Sequence, residues 1–170
     1  MEDNYDISNL KQKKKINSRT KGSGFERQIC KMFNKRFNTS EFCRSPGSGA
    51  FATTHSLPEH LKIYGDLITP EKFKYCIECK KGYNKENLYS LYNYRSSFWK
   101  FIDQCEKDSG KCDKVPMVIF KQDRQPTLTI VPADLPFNSS KYIEIEKKNI
   151  VYRIYLFEDL LKYDDTMWFE

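Results

Sequence analysis

Phe25, Ile29, Met32, Phe33 and Phe37 recur at intervals of three and four residues, which predicts a helix over residues 23–38. Ser23 is placed to cap it, with Glu26 three positions on as the return partner of a capping box. Residues 41–44 read as a short strand, and the Ser-Pro-Gly-Ser-Gly run at 45–49 as a loop. Residues 50–64 show no period and contain Pro58, so a long loop is expected, a type that often carries function. Residues 66–68 and 73–80 read as strands on either side of a turn at Thr69-Pro70, a pattern expected of a hairpin. The Tyr- and Asn-rich stretch 84–95 fits no period. Ser97 can cap a helix over 97–108 with Phe98, Ile102 and Cys105 on one face and Gly110 near its end. Strands follow at 115–120 and 127–131, then a terminal pair at 142–146 and 150–155, and a short helix at 157–163. The order of helix, strands, helix and strands predicts an α/β fold, a central mixed β-sheet flanked by helices.

A chain of 170 residues favours one domain, placed here at residues 21–170. Residues 1–20 are polar and Lys-rich without periodicity and read as a disordered basic arm. The formal net charge of +6 is unevenly spread: residues 11–36 carry ten Lys/Arg and a single acid, Glu26, whereas the last fifteen carry five acids and one base. A basic head suggests a polyanionic partner, most simply nucleic acid, although a solvated tail would look the same. No run approaches a membrane span and no apolar core follows the N-terminal charges, so a cytoplasmic protein without a membrane partner is expected. Of the six cysteines, Cys76 and Cys79 form a CxxC, but on a strand residues three apart face opposite ways. Small buried thiols are therefore expected of all six, rather than zinc or redox chemistry.

The chemistry-bearing positions are Asp66 and the run Glu78-Cys79-Lys80. Glu78 and Lys80 share a strand face, and a hairpin partner carrying Asp66 would bring a second carboxylate beside them. Two carboxylates suit a hard divalent ion such as Mg²⁺, which polarises a phosphate and activates water. A lysine there can orient the water, take its proton or stabilise developing charge. An acid-x-Lys pair also occurs on plain ion-paired strand faces, so its neighbours matter. Ile77 and Cys79 make the alternate face apolar, Glu26 lies near the start of the amphipathic helix, and Arg44 precedes a Gly-rich loop able to approach a phosphate.

Four segments occur in order: Lys21-Gly22-Ser23-Gly24-Phe25-Glu26-Arg27, Phe42-Cys43-Arg44-Ser45-Pro46-Gly47-Ser48-Gly49, Gly65-Asp66 and Ile77-Glu78-Cys79-Lys80. Together they resemble the PD-(D/E)XK nuclease superfamily, and within it archaeal Holliday-junction resolvases and related phage-encoded nucleases. The resemblance spans residues 21–131 and implies a restriction-endonuclease-like core. It implies a catalytic set of Glu26, Asp66, Glu78 and Lys80, with Asp66, Glu78 and Glu26 on the metal. It further implies Mg²⁺ as cofactor, with Mn²⁺ able to substitute, and DNA contacts from Arg27, Arg44, Ser45, Ser48, Gln104 and Lys121. Gln104 reads equally as a solvent-facing helix residue, and Lys121 as a plain surface lysine. Two departures stand out: the residue before Asp66 is Gly65 rather than Pro, and the loop over 45–64 is longer than in compact archaeal resolvases.

The function expected is thus a metal-dependent DNA endonuclease selective for branched structure, acting as a homodimer because a four-way junction offers two symmetric cuts. A duplex, nicking or single-strand nuclease for phage DNA processing or homing is the alternative within the same chemistry. A DNA-binding module that has lost catalysis is the alternative outside it.

Overall fold

The computed structural model describes residues 18–46, 64–92 and 95–170. Most of the expected arm, the greater part of the 45–64 loop and Ser48 lie outside these residues.

Helix α1 (Ser18–Phe37) begins five residues before its expected start. Ser23 is therefore no cap: its hydroxyl donates to the Thr20 carbonyl one turn back, and Glu26 stands inside the helix rather than in a capping box. Ser18 to Thr20 are helical rather than part of an arm. The helix ends as Asn38 takes φ 50°, a left-handed turn that Asn tolerates, and Thr39 N–H donates back to Asn34.

Strand β1 (Cys43–Arg44) pairs antiparallel with β2 (Leu67–Ile68), Arg44 opposite Leu67. Strand β3 (Tyr75–Lys81) opens a five-stranded sheet with β4 (Val115–Lys121), β5 (Leu128–Pro132), β6 (Ile143–Lys147) and β7 (Ile150–Leu156) in the order β3-β4-β5-β7-β6. The hairpin expected of 66–68 and 73–80 is not formed. β2 takes β1 as its ladder partner and touches β3 through one backbone bond, Asp66 N–H to Ile77 C=O at 2.8 Å. Phe73, expected in the strand, instead bridges Phe169 near the C-terminus. β3 and β4 run parallel, which requires a crossover. Residues 84–95 and the following helix supply it as α2 (Leu88–Tyr92) and α3 (Ser97–Ser109), the latter capped by Ser96 rather than Ser97. The remaining pairings are antiparallel, so the sheet is mixed and the fold α/β, as expected.

Alternation in the strands sorts side chains onto two cores. Tyr75, Ile77 and Cys79 of β3, with Met117 and Ile119 of β4, pack against Phe25, Ile29 and Phe33 of α1. Helix α4 (Phe157–Leu160) and a 3₁₀ turn (Asp165–Met167) complete that layer, with Trp168 fully buried against Phe33. Arg36 ties the layer together by donating to the carbonyls of Leu161 and Tyr163 and pairing with Asp165. Burying one such ring contributes about 1.5–3 kcal/mol. On the other face, Val118, Phe120, Ile130 and Ile154 pack against Phe98, Phe101, Ile102 and Cys105 of α3. Cys76 lies on this side against Cys105, and Cys79 on the α1 side, so the CxxC is split across the sheet. The thiols are not uniformly buried: Cys43 is exposed and Cys112 half-buried.

Candidate active site

β3 is an edge strand, and its outer edge fixes Asp66. Besides the bond from Asp66 N–H to Ile77, the Asp66 carboxylate accepts the Cys79 N–H at 2.8 Å. One residue thus satisfies both the carbonyl and the amide that an edge would leave unpaired. Gly65 makes this approach possible. It holds φ +73°, and a Cβ there would stand 2.6 Å from the Ile77 carbonyl oxygen. Proline, with φ fixed near −65°, could not take this backbone, which accounts for the departure at this position. Ser45 braces the turn from the other side, its N–H donating to the Asp66 carbonyl and its hydroxyl to the Gly65 carbonyl.

Glu78 projects from β3 toward α3 and is 1% exposed, so the expected charged face is covered rather than open to solvent. Its carboxylate accepts from Lys80 Nζ, which also donates to Gln104 Oε1 at 3.1 Å and stands 5.6 Å above the Phe101 ring. Gln104 is thereby an exposed helix residue in contact with Lys80. Burial, then the charge of Asp66, pushes the Glu78 carboxyl up to about 8, against the pull of Lys80. Burial works to lower Lys80, but the Glu78 carboxylate and its hydrogen bond outweigh it and leave Lys80 raised. With all three ionised, two carboxylates and one ammonium leave a formal charge of −1 in a poorly solvated place, which a further positive charge would relieve.

A pH consequence follows for the metal-free protein. The folded state holds the Glu78 proton more tightly than the unfolded chain does, so its contribution to stability falls as pH rises from 4.5 to about 8. Melting curves in EDTA should show the Glu78→Gln variant gaining on wild type across that window, and parallel curves would contradict the shift.

Glu26 is buried on the α1 side, and its carboxylate pairs with Arg44 Nε. Asp66, Glu78 and Glu26 therefore do not form a preassembled three-ligand cage, and among the described residues no group of three acidic, His or Cys side chains does. Glu26, Asp66 and Lys80 nevertheless share one cleft of about 680 Å³ with Lys21, Lys81, Tyr83, Asn84 and Asp123. Arg27 is exposed on α1 and does not line this cleft. Lys121 stands opposite Lys81 in register, one strand further in, and is half-buried. Lys81, Tyr83, Asn84 and Asp123 line the cleft without having been singled out in the sequence, and Lys21 appeared there only as part of a segment. Asn84 exchanges hydrogen bonds with Asp123 at 2.9 Å each way, and Asp123 also pairs with Lys21 at 3.6 Å. Lys81 had a signal, being adjacent to Lys80 at the end of the strand, whereas the contact across residues 84 and 123 had none.

No helix among the described residues is long and apolar enough to cross a membrane. Comparison with known proteins places the chain in a family. The chain is 32% identical over 156 residues to Protein D14 of Escherichia phage T5, covering 86% of this chain and 92% of that protein. No solved structure matches it significantly. The family described as "Phage putative PDDEXK endonuclease" matches residues 17–168, nearly the whole chain and every residue of the cleft. A restriction-endonuclease-like α/β core with an Asp and a Glu-x-Lys at the sheet edge is thus accompanied by a family match over the same residues, and the chain belongs to this family of PD-(D/E)XK nucleases.

Proposed function

We propose that the protein is a divalent-metal-dependent DNA endonuclease selective for branched DNA, working through Asp66, Glu78 and Lys80. The observation that carries the reading is that Asp66, held by the Cys79 N–H, and the buried Glu78, paired with Lys80, interact electrostatically at the edge of β3, in a chain whose family is one of endonucleases. PD-(D/E)XK nucleases generally use divalent metals, and the donor set fits one: two carboxylates with excess negative charge are what a hard cation binds. Asp66 and Glu78 would hold it. The ion, Mg²⁺ with Mn²⁺ able to substitute, would supply positive charge beside the scissile phosphate and lower the pKa of water. Lys80, oriented by Gln104, would position the attacking water and stabilise the charge that develops on the phosphate. Glu26 would take part through Arg44, whose guanidinium, like Lys21 and Lys81, can meet a phosphate oxygen. Arg27 and Lys121 would serve the DNA farther from the reacting bond, Ser45 would act through the turn it braces, and Ser48 would be a further DNA contact.

A four-way junction has two equivalent strands to cut, which a symmetric dimer would match. The test is cleavage of supercoiled plasmid, linear duplex, single strand and a synthetic junction side by side, in Mg²⁺, in Mn²⁺ and in EDTA. Metal-dependent cutting with paired, symmetric nicks on the junction is expected. Turnover in excess EDTA would overturn the metal reading, and equal rates on junction and duplex would overturn the selectivity.

A further inference from the structure

The short helix α2 leaves two large aromatic side chains in solvent: Tyr89 is 82% exposed and Tyr92 89%. Three residues apart on a helix, they share one face, while Leu91 on the other side is buried against the α3 core. Five residues do not hold a helix by themselves. This one is pinned by polar contacts: Glu86 accepts hydroxyl bonds from Ser90, Ser96 and Ser97 at 2.7–3.0 Å. Gln122 donates to the carbonyls of Tyr83 and Glu86 at the entry to the helix. The tyrosines are thus carried on a fixed platform.

The chain enters that platform from the cleft, and Gln122, which holds its entry, is next in sequence to the cleft-lining Asp123. Tyr83 lines the cleft and leans edge-on against Phe101 at 4.7 Å, and Lys80 Nζ stands over the same Phe101 ring. Lys85 and Arg95, both exposed, flank α2 in sequence, so the segment that carries the aromatic pair is basic. Aromatic rings set among cations beside a nuclease cleft suit bases that have left the helical stack, because each ring offers a stacking surface and each cation a phosphate contact.

We infer that Tyr89 and Tyr92 form a stacking platform for unpaired bases of the DNA, by which the enzyme selects single-stranded or opened segments next to the bond it cuts. This rests on the nuclease reading and extends it to the substrate's form. The test uses the full chain, wild type against Tyr89→Ala/Tyr92→Ala and Tyr89→Phe/Tyr92→Phe. The first readout is quenching of 2-aminopurine placed in a single-stranded arm, measured in EDTA. The second is Mg²⁺-dependent cleavage of that armed DNA against a fully paired duplex of the same sequence.

Removing the rings should abolish the quenching and weaken binding of the armed DNA about tenfold per ring. It should change the duplex less than about twofold, and the Phe variant should behave as wild type because Phe stacks equally. An Ala variant that quenches like wild type overturns the inference, as does an equal loss on armed DNA and duplex. So does a loss that coincides with a changed oligomeric mass, which would give the face to a second copy of the chain. Quenching by a wild type that cuts no DNA would uphold the platform while removing the nuclease reading.

Discussion

Asp66→Asn and Glu78→Gln should each reduce cleavage by a hundredfold or more while leaving the protein folded. Both substitutions keep size and shape and remove one negative charge. In Asp66→Asn the amide oxygen could still accept the Cys79 N–H, so the brace at the edge of β3 would survive. What would be lost is half of a two-carboxylate donor set, and a neutral amide is a poor ligand for a hard cation. A hundredfold loss corresponds to about 3 kcal/mol of transition-state stabilisation, a modest demand for a metal site. DNA binding should be kept or strengthened, because a carboxylate that repels phosphate has gone. Single-turnover cleavage at saturating enzyme, with a melting curve and a binding titration beside it, separates these effects. Wild-type rates in both variants would remove the two residues from the site. A collapsed melting curve would show that their role is to hold the fold.

Gly65→Ala should be the most damaging single methyl in the described structure. At φ +73° any side chain is strained, and the added Cβ would meet the Ile77 carbonyl oxygen at 2.6 Å and Cys76 Sγ at 3.1 Å. That carbonyl is the one that receives the Asp66 N–H, so it cannot retreat without releasing Asp66. Strain and overpacking together amount to roughly 2–4 kcal/mol. For a chain of this size that is a fall in melting temperature of about 5–15 °C. Gly82→Ala supplies the control. Gly82 also has positive φ, +99°, but nothing lies within 4 Å of its Cβ position, so only the backbone strain remains, about 1 kcal/mol. Cleavage should drop at Gly65→Ala beyond what lost stability explains, because the methyl displaces Asp66. Equal melting temperatures for the two variants would show that the turn yields at little cost.

The lesson of Gly65 extends to the rest of the chain. Local periodicity sufficed for α1, α3 and the strands of the main sheet, because an amphipathic helix and an alternating strand write their buried faces directly into the sequence. It also sufficed to place Glu78 and Lys80 on one face and Cys79 on the other. It failed where a local signal was outvoted by the rest of the structure. Ser23 and Glu26 make a good capping box on paper, yet the helix runs back to Ser18 and leaves both inside it. The turn at Thr69-Pro70 suggested a hairpin, yet β2 is taken by β1, and Phe73 is drawn to the aromatic layer around Trp168.

The site divides along the same line. The sequence by itself determined the family and named the candidate groups, since an Asp, a Glu-x-Lys and an ordered set of flanking segments are one-dimensional facts. Only the tertiary structure decided how they meet. Packing of α3 over the sheet buries Glu78 and brings Gln104 to Lys80, and β1 carries Arg44 to Glu26. The free edge of β3 holds Asp66 through backbone groups that no side-chain pattern reveals. Those contacts join residues 11 to 24 positions apart, and their geometry depends on helices and strands packing together. A reading of local periods could name the residues but not the burial and hydrogen bonds that surround them.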